Sequence, residues 1–188
     1  IGYASGMDKR IHKTTNGGAN WFDLNPGQPG PGYSTVNSLF YLSVDTGYVC
    51  TSDPRLAITT DGGFNWEDVG EIANGAVDIF FLNSNHGWAV GMDIHCYHNG
   101  IWTYVESPID IGLNSVYFIN ENEGWAVGIN GVILHTTDGG FTWTGQYCGK
   151  DEWLMDVYFS SPSNGYIVGY HGNIYHTTNG GAVFVEEN

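Results

Sequence analysis

The sequence predicts an all-β fold, and three observations carry that expectation. The first is composition: of 188 residues, 28 are Gly, 28 are Trp, Tyr or Phe, and only 25 are charged. That balance favours short strands and tight turns over helices, and it does not have the low aromatic content of a disordered chain. The second is a Gly-aromatic dipeptide that recurs as Gly2-Tyr3, Gly47-Tyr48, Gly87-Trp88, Gly124-Trp125 and Gly165-Tyr166, at spacings of 45, 40, 37 and 41 residues. The third is a turn signature that follows it: Thr14-Thr15-Asn16-Gly17-Gly18, Thr59-Thr60-Asp61-Gly62-Gly63, Thr136-Thr137-Asp138-Gly139-Gly140 and Thr177-Thr178-Asn179-Gly180-Gly181. A worn copy, His98-Asn99-Gly100-Ile101-Trp102, stands in the third unit.

Each unit then reads as four strands, a to d. Strand a is an apolar run (36–42, 77–82, 114–119, 154–159), apolar on both faces and expected to be buried on both sides. A polar turn ending in Gly leads to strand b, such as Trp125-Ala126-Val127-Gly128, and a second turn leads to strand c, such as Val132-Ile133-Leu134-His135. The Asp-Gly or Asn-Gly turn supplies positive φ for a hairpin into strand d, which is expected to run through Trp21, Trp66, Trp102, Trp143 or Phe184. Four strands in about 40 residues, repeated along the chain, describe propeller blades. The expectation is one β-propeller domain over 1–188, with five four-stranded blades near 1–24, 36–69, 76–105, 113–147 and 153–186, and with Leu39, Phe81, Val116, Phe118, Val157 and Phe159 in the core. The first blade lacks its inner strand. Three readings of that gap stay open: residues omitted at an end, an excerpt of a larger propeller, or donation by another chain.

Residues 136–143, Thr-x-Asp-x-Gly-x-Thr-Trp, resemble the Asp-box, the bacterial neuraminidase (BNR) repeat. The longer string from Gly124 to Gly140 resembles the repeats of photosystem II stability and assembly factor-like propellers, and the resemblance covers nearly the whole chain. It implies a propeller in which the Asp-box is a folding motif between strands c and d. It implies no single function, because the motif occurs in sialidases, polysaccharide hydrolases, sorting receptors and assembly factors. Sialidases hold the substrate carboxylate with three arginines, and this chain has two, Arg10 and Arg55, so that activity is excluded for the chain alone. Assembly factors of the family are expected to present a basic patch to their client, whereas here the basic residues near the start, Lys9, Arg10 and Lys13, stand against an acidic whole.

Twenty acidic residues against five basic ones give a formal charge of −15, which repels nucleic acid and acidic membranes. No apolar run is long enough for a transmembrane helix. Cys50, Cys96 and Cys148 lie far apart without metal-ligand spacing and read as buried free thiols.

Candidate site residues fall in two groups. In the Asp-box turns, Asn16, Asp61, Asp138 and Asn179, with Trp21, Trp66 and Trp143, read as structural, since an Asx side chain binds the backbone of its own turn. At the opposite end of the strands, the b–c and d–a connections place Asp8, Asp53, Arg55, Asp93, Tyr170 and His171 on one binding rim, with Asp78 and Asp156 at the start of strand a beside Ser38 and Ser115. Asp78 and Asp156 suit either a general acid and base pair or hydrogen-bonded strand starts, and the second reading is preferred. Asp8, Asp53 and Asp93 recur at one blade position and are the candidate for a weak calcium site; no other cofactor is expected. His86, His95 and His98 are a metal candidate set against a reading as surface polar residues, and Trp153 alone among the tryptophans lies outside the repeat.

The expected function is a non-catalytic, extracellular, cell-surface or periplasmic module for protein-protein assembly, with a protein partner or a neighbouring copy joined by strand completion. The competing expectation is a polysaccharide-binding module, or part of a glycoside hydrolase of the Asp-box type.

Overall fold

The computed structural model describes residues 1–6, 10–24, 35–53, 55–71 and 75–187. They form five sheets in which neighbours in sequence are neighbours in space. The first holds β1 (Gly2–Ser5), β2 (Ile11–Thr14) and β3 (Phe22–Asp23), and the second β4 (Val36–Tyr41), β5 (Gly47–Thr51), β6 (Arg55–Thr59) and β7 (Glu67–Glu71). The third holds β8 (Ala76–Asn83), β9 (His86–Gly91), β10 (Ile94–His98) and β11 (Ile101–Val105). The fourth holds β12 (Leu113–Phe118), β13 (Gly124–Gly128), β14 (Val132–Thr136) and β15 (Thr144–Tyr147), and the fifth β16 (Leu154–Phe159), β17 (Gly165–Gly169), β18 (Ile174–Thr177) and β19 (Val185–Glu187). The helical elements among the described residues are two single 3-10 turns, Ile129–Gly131 and Tyr170–Gly172. As expected, the first sheet has three strands where the others have four. The chain divides between Ile79 and Phe80 into two compact units.

Within each unit one sheet packs on the next by a repeated aromatic contact. Tyr3 stacks on Tyr41 in the first unit, and Trp88 on Phe118 and Trp125 on Phe159 in the second, all with ring centroids 3.5 Å apart and planes within 6°. In each pair the aromatic of the Gly-aromatic dipeptide meets the aromatic of the following inner strand. The glycine has its own reason: a Cβ on Gly87, Gly124 or Gly165 would lie 2.5 Å from the ring of Phe81, Phe118 or Phe159 in the same sheet. The inner-strand ring therefore lies flat over a residue that must have no side chain. Trp88 and Trp125 are fully buried in the two clusters that build the second unit, the first with Phe118 and Leu134, the second with Leu154 and Phe159.

Two expectations about the inner strands need correction. They are not buried on both faces throughout: in β16 Leu154, Val157 and Phe159 are buried while Met155, Asp156 and Tyr158 are exposed. In β12, which lies between two sheets of its unit, Leu113, Ser115, Val116 and Phe118 are buried and Tyr117 is half-buried. Burial of the second face depends on a neighbouring sheet, which the apolar run does not report. Leu39 is half-buried, because the sheet packed on β4 within its unit has three strands. The other five expected core residues are buried.

Strand d also starts later than expected. β15 begins at Thr144, after Trp143, whose indole N–H turns back to donate to Gly140 O at 2.8 Å. In the worn third unit Asn99 (φ 48°) and Gly100 (φ 93°) form a two-residue turn with His98 paired to Ile101, so Trp102 does lie in its strand. The three cysteines are buried free thiols; burial pushes the Cys96 thiol up to about 12, and its Sγ lies 3.3 Å from Gly140 O.

Candidate functional site

The four Asp-box turns share one hydrogen-bond pattern. Thr14, Thr59, Thr136 and Thr177 accept at Oγ1 from the N–H of Gly18, Gly63, Gly140 and Gly181 at 2.9–3.0 Å. Each hydroxyl donates to Oδ1 of Asn16, Asp61, Asp138 or Asn179, and that oxygen accepts from the N–H of Asn20, Asn65, Thr142 or Val183. Amide and carboxylate serve alike because one oxygen acceptor suffices. Positive φ falls on the paired glycines and not on the Asp or Asn before them. Trp66 Nε1–H donates to Gly63 O at 3.2 Å, while Trp21 is 47% exposed.

These bonds set a pH dependence. Burial alone would raise the Asp138 carboxyl, but hydrogen bonds from the Thr142 side chain and backbone outweigh it and hold the group below its ordinary value. A carboxyl lowered in the folded state contributes stability that is complete above its unfolded value, about 3.9, and is lost as pH falls through the lower folded value. Asp138→Asn keeps the Oδ1 acceptor, as Asn16 and Asn179 do, but its Nδ2 cannot accept from the Thr142 hydroxyl as Oδ2 does, so it is expected to be less stable than the parent near pH 7 and to close that gap below pH ~4. Urea unfolding at a series of pH values reads this; parallel curves for both proteins would contradict it.

At the strand starts, Asp78 accepts from Ser38 Oγ (2.8 Å) and Ile79 N (2.9 Å), and Asp156 accepts from Ser115 Oγ (2.8 Å) and Val157 N (2.9 Å). Beside them β4 and β12 each shift register at their second residue, which aims Asn37 Nδ2 at Ala76 O and Asn114 Nδ2 at Leu154 O, both 2.8 Å. These polar residues form a repeated link from one inner strand to the next.

The remaining candidates are placed within their own sheets. Asp8 lies outside the described residues. Asp53 follows β5, where its carbonyl accepts from Arg55 N at 2.6 Å, and Arg55 pairs with Asp68 of its own sheet. Asp93 sits in the turn before β10, its carbonyl accepting from Gly91 N. Among the described residues no group of three or more His, Cys, Asp or Glu lies close enough to hold a metal ion. His95 and His98 are not the surface residues expected: His95 is buried with burial lowering its pKa, and His98 stacks on Phe141 at 5.0 Å. Lys13 is buried too, donating to Gly62 O at 3.2 Å, because strand c points it at the next sheet's turn.

One cluster does come together, at the end of the fifth sheet opposite its Asp-box turn. A cavity of about 370 Å3 is lined by Asp151, Glu152, Trp153, Tyr170 and His171. Tyr170 N donates to Trp153 O at 2.7 Å and Gly131 N to Glu152 O at 2.6 Å, so segment 148–153 is tied to both 3-10 turns. Trp153 and Tyr170 are each 56% exposed, their centroids 6.2 Å apart and planes at 51°. Glu152 accepts from Asn173 Nδ2 at 2.6 Å and from the buried Tyr175 hydroxyl, and Asp151 accepts from Tyr147 OH at 2.7 Å. Burial first, and then the Glu152 carboxylate, pushes the Tyr175 phenol well above its ordinary value. Asp151 and Glu152 were not singled out as site residues; the signal was their place before Trp153, the tryptophan off the repeat, where the fourth sheet has Asp110, Ile111 and Gly112. A second cavity of about 490 Å3 near Glu106 and Trp143 offers less, since Phe141 is stacked on His98 and the Trp143 indole is bonded to Gly140.

Comparisons with known proteins follow from this geometry. Residues 70–145 match the family model of photosynthesis system II assembly factor YCF48. A solved structure titled "YCF48 bound to D1 peptide" superposes over 98% of this chain with a TM-score of 0.74 at 18% identity. The chain has the β-propeller fold, and the family match covers BNR-type repeats over residues 70–145. YCF48 from Cyanidioschyzon merolae gives a TM-score of 0.76 at 16% identity over 98% of the chain, and the propeller spans 62% and 66% of those two proteins' lengths. An ancestral GH74 enzyme, AFV00434, matches 84% of the propeller with 24% of its own length, at a TM-score of 0.71 and 18% identity. No curated protein matches.

Proposed function

We propose that the propeller is a non-catalytic binding module that acts outside the cytoplasm and joins a protein partner. The observation that carries this reading is the cavity at 151–153 and 170–171, where exposed aromatic rings and carboxylates depart from the repeat. The strand-start carboxylates support it from the other side, since Asp78 and Asp156 are engaged by serine hydroxyls and backbone N–H groups as parts of the scaffold. YCF48, a propeller of the same repeat type, has been solved with a peptide. Self-assembly through a strand added beside β1 is a finer form of the same proposal, because β1 is the edge of a three-stranded sheet.

The test has two arms. On a panel of sialosides, xyloglucan and cellulose oligosaccharides the purified chain is expected to release no sugar; turnover abolished by Asp156→Asn would replace this reading with the hydrolase one. On an array of short extended peptides it is expected to bind a subset saturably, and binding to none would overturn the reading.

A further inference from the structure

We infer that the cavity bounded by Asp151, Glu152, Trp153, Tyr170 and His171 is a site for an organic cation, the guanidinium or ammonium group of an arginine or lysine side chain carried by a protein partner. The inference rests on the binding-module reading and gives it a chemistry.

The argument starts from charge. Among the described residues neither Asp151 nor Glu152 forms an ion pair; their hydrogen bonds come from Tyr147, Tyr175 and Asn173, all neutral donors. The nearest basic side chain in sequence, Lys150, pairs with Glu186. Lys150 also feels the Glu152 carboxylate, so the charge is partly offset, but among the described residues no cation contacts either carboxylate of the cavity. The rings come next. Trp153 and Tyr170 line the same cavity, half open to solvent, and the negative face of an aromatic ring attracts a cation, most strongly when the ring is an indole. Their mutual tilt of 51° makes a corner and not a flat platform, which suits a compact charged group better than the broad face of a sugar ring. Rigidity is the third element. Glu152 is fixed through both its carboxylate and its carbonyl, and Tyr170 through its backbone N–H, so the site is formed before a ligand arrives. A neutral sugar could donate a hydroxyl to Asp151 but would leave the excess negative charge in place, whereas a cation offsets it; the Glu152 carboxylate oxygens already accept hydrogen bonds.

The experiment uses the full chain and a capped peptide with one arginine, compared with the same peptide carrying citrulline, which has the same shape without the charge. Calorimetry or tryptophan fluorescence reads binding. The arginine peptide is expected to bind saturably, and citrulline to weaken it roughly tenfold. Trp153→Ala is expected to weaken it by about the same factor, and Asp151→Asn by about threefold to tenfold. Both side chains are exposed, and an unchanged melting temperature will verify that the variants fold. Equal binding of the arginine and citrulline peptides overturns the proposal, as does arginine binding indifferent to Trp153→Ala, which would mark attraction to the acidic surface as a whole. Displacement by xyloglucan oligosaccharides at this site would also overturn it, in favour of a sugar ligand. If tetramethylammonium binds here while the peptide array is silent, the cation site stands and the protein-partner reading falls; array binding untouched by Trp153→Ala gives the reverse.

Discussion

Trp125→Ala is expected to destabilise the propeller by about 3–5 kcal/mol. Trp125 is fully buried, and it stacks on Phe159 on one side and on His135, at 4.8 Å and 16°, on the other. Removing it takes away the surface through which the fourth sheet meets the fifth, and its neighbours sit in strands whose ladders prevent collapse into the gap. Trp125→Phe makes the comparison informative. The Trp88 indole donates to Gly139 O at 2.8 Å, but the corresponding carbonyl, Gly180 O, accepts from Gln146 Nε2 and the buried Trp125 N–H has no partner among the described residues. Phenylalanine therefore gives up no hydrogen bond and should lose much less than alanine. Thermal unfolding of the three proteins decides it; an alanine variant within about 1 kcal/mol of the parent would show that the stack does not hold the sheets together.

Gly140→Ala is the second large effect, expected at about 2–4 kcal/mol. Gly140 has φ +89°, where an L side chain is strained, and its Cβ would lie 2.8 Å from Trp88 Nε1 and 3.0 Å from Cys96 Sγ of the preceding sheet. Backbone strain and overpacking add, since Trp88 is fully buried and cannot move aside. Gly100→Ala is the control: it has φ +93° with nothing within 4 Å of the added Cβ, so it should show the strain alone. Equal losses at the two positions would remove close packing from the explanation.

The two variants also separate the parts of this protein that are local from those that are not. Strand order, the turns and the Gly-aromatic rule were legible along the chain because each repeat is one supersecondary unit, closed by short-range hydrogen bonds such as those of Thr136 and Asp138. Five copies of a pattern average out the ambiguity of any one. The strand-start pairs were legible in outline for the same reason, as one polar residue per unit. Depth of burial was not, because whether Tyr117 or Tyr158 is covered depends on which sheet lies beside its strand, and both come from the same apolar pattern. His95 misled in the opposite direction: a polar type at a strand position read as surface, yet its side chain is buried. The cavity at Trp153 is the furthest from sequence reach. Its walls come from a connection and a turn that meet through backbone bonds, Tyr170 N to Trp153 O and Gly131 N to Glu152 O, and backbone groups carry no residue identity that a sequence could disclose.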